Sequence, residues 1–371
     1  MSFAYKIKGY NWDAVKSAIL AKTADDVRRA LYTDIRTYND LLALLSPAAE
    51  PFIEDMAQQA HRTTLRRFGK IIQMYAPLYV SNKCVNSCLY CGFNRTNKID
   101  RKTLTEKEVM QEAETIYNLG FRHILLVSGE APKDVPVSYF CRIAQSLNNL
   151  FSSISIEIYP MDTEEYKSLI QSGVDGLTVY QETYNRTTYQ QVHPAGKKSD
   201  YKWRLMTPDR GGTAGFRRLN IGTLLGLSDW RVEGAFTGLH AIYLMRQYWQ
   251  SLVSISFPRL RPATGGYEPE YPVNDSALAQ LICAFRLLLP DAGLVISTRE
   301  PEQLRNNLMP LGITQMSAGS RTSPGGYSLE AHADNQFEIS DIRSPEDVAR
   351  MITSSGYEPV WKDWDKAFLE G

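Results

Sequence analysis

Three cysteines, Cys84, Cys88 and Cys91, fall within eight positions of the run SNKCVNSCLYCGFNR, residues 81–95. The spacing C-x3-C-x2-C puts three soft thiolate ligands in one loop, which suits zinc or iron–sulfur chemistry. A structural zinc site takes four protein ligands, commonly as two pairs. A fourth ligand could come from His123, Cys141 or Cys283. Cys141 and Cys283 lie in apolar helical runs, where cysteine packs as a small hydrophobe. An iron–sulfur cube takes four thiolates, so three leave one iron open. An open position is what a catalytic metal needs, because a reactant must bind there. The total of five cysteines is odd and clustered, which is not a disulfide framework.

The segments that must position these thiols alternate. Residues 11–68 read as helices, with a long helix expected over Pro47–Arg67 that ends on basic residues. From residue 71 short apolar runs alternate with helical patterns. Strands are expected at 71–80, 123–129, 153–159, 176–181, 218–227, 252–260, 293–299 and 313–319. Helical patterns such as 105–120 and 275–289 lie between them, opening on polar caps. Such a series predicts an α/β (βα)8 TIM-type barrel, with an open doubly wound sheet as the alternative. The expected organisation is an N-terminal helical extension (1–70), the barrel (71–333) and a C-terminal cap over one barrel end (334–371), tied down by Trp361 and Trp364.

A barrel of this kind carries its active site at the C-terminal ends of its strands. Cys84, Cys88 and Cys91 follow the first strand. Glu130 ends the second and Tyr159 the third. Gln181, Glu182 and Tyr184 follow the fourth. Arg259 and Arg261 end the sixth, Arg299 and Glu300 the seventh, and Ser317, Ser320 and Arg321 the eighth.

Composition narrows the function classes. Basic and acidic residues balance at 41 each, and no basic block stands out, so nucleic acid is not an expected partner. Apolar content of 43% with 22% charged residues is that of a globular chain with a sizeable core. The N-terminus lacks an apolar signal region, and no run reaches the length of a membrane span. The expected location is therefore the cytoplasm, where thiols stay reduced, with no membrane association.

Tyr90 before the last cysteine, with Gly92 and Phe93 after it, resembles the motif of the radical S-adenosylmethionine (SAM) superfamily. The resemblance implies that Cys84, Cys88 and Cys91 hold a [4Fe–4S] cluster whose fourth iron is chelated by S-adenosyl-L-methionine. A 5′-deoxyadenosyl radical then takes hydrogen from the substrate. Ser128, Gly129 and Glu130 resemble the superfamily's GGE element, which implies that Glu130 meets the cofactor's ammonium group. YQETY (180–184) and WRL (203–205) imply cofactor contacts from Glu182 and Arg204. GTLLGL (222–227) implies packing on adenine by Leu224 and Leu225, and Tyr90 is expected on the same side.

TPDR (207–210), LLGLSDW, SFPRLRPATGG, STRE (297–300), SAGSRTSPGGY and VWKDWD are similar to the 2-iminoacetate synthases among the radical SAM aromatic amino acid lyases. That family cleaves the Cα–Cβ bond of L-tyrosine, giving 2-iminoacetate (dehydroglycine) and p-cresol for thiamine biosynthesis. The resemblance implies that Arg299, with Ser317, binds the substrate carboxylate; a structural pair between Arg299 and Glu300 is the alternative. It also implies a complex with thiazole synthase and a flavodoxin- or ferredoxin-type electron donor. A tryptophan lyase shares the cofactor chemistry, and a non-catalytic zinc-binding barrel is a reading from another class. The hydrogenase-maturation tyrosine lyases carry further cysteines in a C-terminal extension, whereas the last cysteine here is Cys283. Arg259 and Arg261, at the end of the sixth strand, could hold either the departing fragment or only the loop.

Overall fold

The computed structural model describes residues 2–329, 333–363 and 365. Eight strands pair in parallel in chain order: β1 (Ile71–Ser81), β2 (His123–Ser128), β3 (Ser153–Glu157), β4 (Gly176–Glu182), β5 (Arg218–Thr223), β6 (Leu252–Ser256), β7 (Gly293–Ile296) and β8 (Gln315–Ser317). β8 pairs back with β1, with Gln73, Met74 and Tyr75 opposite Gln315, Met316 and Ser317. That last pairing closes the sheet into a barrel and excludes the open doubly wound arrangement.

Helices cross between the strands on the outside, as parallel strand connections require. Glu106–Asn118 and Thr163–Gln171 both open with a reciprocal capping box, Thr105 with Glu108 and Asp162 with Glu165. Their buried faces, such as Val109, Ala113 and Ile116, pack on the barrel wall. Six strands end one to four residues before their apolar runs do, while β1 and β4 each run one residue further than expected. Leu224, Leu225 and Leu227 follow β5, and Phe257 and Leu260 follow β6; all but Leu260 are buried. Of these, Leu224, Phe257 and Leu260 line the cavities described below, and Leu225 forms only an isolated bridge with Arg259.

The helical extension differs from expectation at one point. Pro47–Phe52 forms a 3₁₀ turn and the α-helix begins at Ile53, running to Phe68. Pro51 has no N–H to donate into a continuous α-helix. The Ile53–Phe68 helix packs on Asp275–Leu288 and Glu302–Gly312, with Arg286 stacked 4.6 Å from the Phe68 ring centroid.

The C-terminal segment serves both ends of the barrel. Residues 334–341 cross the mouth: Asp334 accepts the Asp100 N–H at 2.8 Å, and Gln336 accepts those of Gly92 (3.0 Å) and, through its side chain, the Tyr79 hydroxyl (2.7 Å). After the helix Pro345–Ser354, β9 (Glu358–Val360) pairs with the start of β1 at the opposite end. There Trp361 packs edge-on against Phe121, 5.1 Å between ring centres. Asp363 lies 2.8 Å from His123 Nε2 and 3.3 Å from Arg218. Trp364 lies outside the described residues. No described helix is long and apolar enough to cross a membrane.

Candidate active site

The loop after β1 is held by the segments that follow β2 and β4. Val85 N–H donates to the Glu130 carbonyl at 2.9 Å, Ser87 N–H to Ala195 at 3.0 Å, and Leu89 N–H to Val192 at 3.1 Å. Arg101 clamps the loop's far side, donating to the carbonyls of Asn82, Phe93 and Asn94 at 2.6–2.8 Å. Asn86 is the central tie. Its Nδ2 donates to Glu130 Oε2 at 2.7 Å, and its Oδ1 accepts from Lys198 N at 3.0 Å. Gly129 is required by close approach. A Cβ there would collide with the Lys83 carbonyl oxygen and come within 3.1 Å of Cys84 Cβ.

So braced, Cys84, Cys88 and Cys91 ring one end of a cavity of about 900 Å³. Burial pushes Cys88 up to about 12, and burial together with the Cys84 thiol raises Cys91. Lys198 pulls the other way on both. A metal deprotonates such thiols outright.

Opposite the cysteines stands a buried triad of charges. β4 ends in a bulge between Tyr180 and Glu182, and Glu182 has φ +70°, the one left-handed non-glycine among the described residues. Bulges of this kind re-aim a side chain beside a site. Glu182 Oε1 lies 2.6 Å from Lys198 Nζ and 3.1 Å from Arg204 Nη2. Burial alone would raise the Glu182 carboxyl, but Lys198 and Arg204 outweigh it and hold it down at about 2. Two cations against one anion leave a positive surplus facing the thiol ring. Tyr90 donates to His193 Nε2 at 2.8 Å, since His193 Nδ1 meets the Tyr189 carbonyl, which can only accept. Burial holds His193 neutral, down at about 3.

The cavity continues into the barrel lumen, where a second one of about 660 Å³ is lined by residues including Tyr75, Ser256, Thr298, Ser317 and Ser320. Arg299 lines both cavities. Its guanidinium stacks 3.4 Å from the Phe337 ring centroid, and one nitrogen donates to the Arg259 carbonyl at 3.3 Å. No described carboxylate lies within ion-pair distance of it. Glu300 is taken by Arg259, which also holds Asp275 at 2.8 Å. The alternative pairing of Arg299 with Glu300 is therefore corrected, and Arg259 is a loop brace. Arg261 lines the cysteine cavity with its Nε unpartnered.

Most of the residues singled out in the sequence meet here: the three cysteines, Tyr90, Ser128, Gly129, Glu130, Glu182, Arg204 and Arg299 line the first cavity, and Arg299 and Ser317 the second. Two do not fit. Leu224, not Leu225, lines the cavity; Leu225 is buried in the core and ladders to Pro258 and Leu260 through its backbone. The period-two alternation that would choose between them ends with β5 at Thr223. Tyr184 turns outward, its hydroxyl 2.8 Å from His240 Nδ1. The candidate fourth zinc ligands are also elsewhere: His123 is at the opposite barrel end with Asp363, Cys141 is beside the Ser168 carbonyl, and Cys283 is in the core. Asn86, Glu157 and Lys198 were not found from the sequence; single polar residues in loops or at strand ends carry no spacing signal.

The residues present fit an iron–sulfur cluster and a zwitterionic cofactor. Three thiols, Cys84, Cys88 and Cys91, line one cavity, and three soft thiolates are a donor set that suits an iron–sulfur cluster with one iron left open. Arg261 Nε is a buried, unpartnered donor on a residue lining the same space.

Comparisons with known proteins agree with this geometry. A Radical SAM superfamily model matches residues 78–237, and a Biotin and Thiamin Synthesis associated domain model matches 256–358. The chain is 47% identical to the 2-iminoacetate synthase of Escherichia coli (strain K12), over 98% of this chain and 97% of that one. The crystal structure of HydG, a maturase of the [FeFe]-hydrogenase, superposes with a TM-score of 0.88 at 31% identity, covering 96% of this chain and 82% of that one. Methylornithine synthase (PylB) shares the fold, with a TM-score of 0.71 at 21% identity over 93% of this chain and 99% of that one.

Proposed function

The chain belongs to the 2-iminoacetate synthase family of radical SAM enzymes, and we propose on that basis how its residues divide the work of cleaving L-tyrosine. The enzyme is a carbon–carbon lyase that uses a [4Fe–4S] cluster and S-adenosyl-L-methionine. Its products are 2-iminoacetate, which supplies the thiazole moiety of thiamine, and p-cresol. When bound, the two cofactors supply a 5′-deoxyadenosyl radical that abstracts a hydrogen atom from the substrate.

In this reading Cys84, Cys88 and Cys91 hold the cluster and leave one iron to the cofactor. Glu130, oriented by Asn86, takes the cofactor's ammonium, and Arg204 takes its carboxylate. Glu182 is committed to Lys198 and Arg204, so its part is to fix those cations. Gly129 gives the backbone room, with Ser128 beside it, and Tyr90 and Leu224 wall the same space. Arg299 binds the tyrosine carboxylate with Ser317 at the lumen wall. The observation that carries this reading is that Arg299 lacks a carboxylate partner where the thiol-ringed cavity opens into the lumen. Its planar fork suits a carboxylate there. A substrate filling the lumen would exclude water from a reactive intermediate there.

The remaining parts belong to the same proposal. Residues 71–333 carry the cluster and most of the site, the helical extension braces the barrel exterior, and the described residues of the C-terminal segment, 334–363, cover its ends and add Gln336 and Phe337 to the cavity wall. An imine hydrolyses in water, which favours direct transfer to thiazole synthase in the cytoplasm. A flavodoxin- or ferredoxin-type protein supplies the electron.

The deciding experiment incubates the anaerobically reconstituted enzyme with S-adenosylmethionine, reductant and either L-tyrosine or L-tryptophan. p-Cresol from tyrosine is expected; an indolic acid from tryptophan, with no p-cresol, would overturn the substrate assignment.

A further inference from the structure

The two cavities share Val127, Glu157, Tyr180, Pro258, Arg299 and Phe337. Among these, only Glu157 brings a carboxyl group and only Arg299 a guanidinium. Glu157 is the last residue of β3, and its accessible face lines the two cavities. Other carboxylates of this region are committed: Glu130 to Asn86, Glu182 to Lys198 and Arg204, Glu300 to Arg259. The Glu157 carboxylate makes no hydrogen bond or ion pair with any described residue. An unpartnered carboxylate in a low-dielectric cavity is costly, and the cost is recovered when a ligand cation pairs with it.

We propose that Glu157 receives the substrate's α-ammonium while Arg299 receives its carboxylate, and that the Glu157 carboxylate then accepts one ammonium proton. This rests on the tyrosine reading above. An α-amino acid presents opposite charges one carbon apart, and the junction presents the complementary pair. In the transfer one N–H bond breaks, its electrons stay on nitrogen, and an O–H bond forms on Glu157. Nothing is oxidised or reduced. The neutral amine left behind keeps the hydrogens from which the radical step draws.

The surroundings of Glu157 support the role. Burial raises its carboxyl to about 7; Arg299 pulls it down, Glu182 pushes it up, and Arg204 and Lys198 pull it down. The phenols facing it, Tyr75 and Tyr79 from β1 and Tyr180 from β4, are themselves raised by burial and stay neutral. A carboxyl near 7 lies closer to an amine than an ordinary one, so proton transfer costs less. The sign follows: below about 7 the carboxyl is neutral, the ammonium loses its counter-charge, and tyrosine affinity rises as pH rises through that value.

The test is calorimetric binding to the cluster-loaded enzyme with S-adenosylmethionine present. L-tyrosine is compared with 3-(4-hydroxyphenyl)propanoate, which lacks the amino group. Wild type should prefer tyrosine, and Glu157→Gln should lose that preference by about tenfold or more, together with its pH dependence. An unchanged low-temperature EPR spectrum of the reduced cluster shows that the variant is intact. If that spectrum is lost, Glu157→Asp carries the test, with a partial loss of preference expected. Equal weakening of both ligands, or a preference kept in the variant, overturns the assignment alone. Wild type that binds neither compound overturns the substrate reading and this assignment with it.

Discussion

Arg259 Nε lies 2.8 Å from a carboxylate oxygen of the buried Glu300. This pair removes the nearest carboxylate in sequence from Arg299 and leaves that neighbour's charge to the cavity. The brace and the ligand-binding arginine are thus two members of one arrangement, and predictions about one depend on the other.

Arg299→Ala should weaken L-tyrosine binding about 100-fold or more, because it deletes a desolvated charge contact. S-Adenosylmethionine affinity should not change. Tyramine, which lacks the carboxylate, should bind wild type and variant alike. Calorimetry with the three ligands checks this, and tyrosine affinity equal to wild type would remove Arg299 from the substrate site.

Gly129→Ala should reduce the iron and acid-labile sulfide bound per chain. The added Cβ meets the Lys83 carbonyl and Cys84 Cβ, so the loop must shift at its first cysteine. Overpacking of this kind also costs about 1–3 kcal/mol, read as a lower unfolding midpoint. Full iron content with a wild-type visible spectrum would show that the loop absorbs the methyl group.

Glu233 sets a pH dependence of stability away from the active site. It is buried on the Trp230–Gln247 helix, accepting the Tyr184 N–H at 2.9 Å and the Thr183 hydroxyl. Burial raises its carboxyl to about 8. The folded chain therefore binds this proton more tightly than the unfolded chain does, and stability declines as pH rises from about 4.5 towards about 8. Glu233→Gln should remove that slope, up to about 1.4 kcal/mol per pH unit. Denaturant titrations at several pH values check this; parallel curves for the two proteins would contradict it.

The barrel was legible because each strand is an apolar run between capped helices, and because Cys84, Cys88 and Cys91 announce themselves by spacing. What escaped depends on backbone irregularity. Glu182 reaches its cations through a bulge and a left-handed residue, neither of which has a glycine or proline to mark it. Leu224 and Leu225 could be separated only by an alternation that stops one residue earlier. Lys198 sits in a short 3₁₀ turn beside Lys197, and nothing in the pair KK tells which one reaches Glu182. Glu157 ends a strand whose inward face is recognisable only once the barrel is closed.

Gly92 meets Gln336 across 244 positions of chain, closely enough that a side chain at Gly92 would strike the Gln336 and Asn335 carbonyls at 2.6 and 2.7 Å. During synthesis all three thiols therefore leave the ribosome long before the strap that shuts over them. Until that strap arrives, the nascent loop stands open to oxidants and stray metal ions.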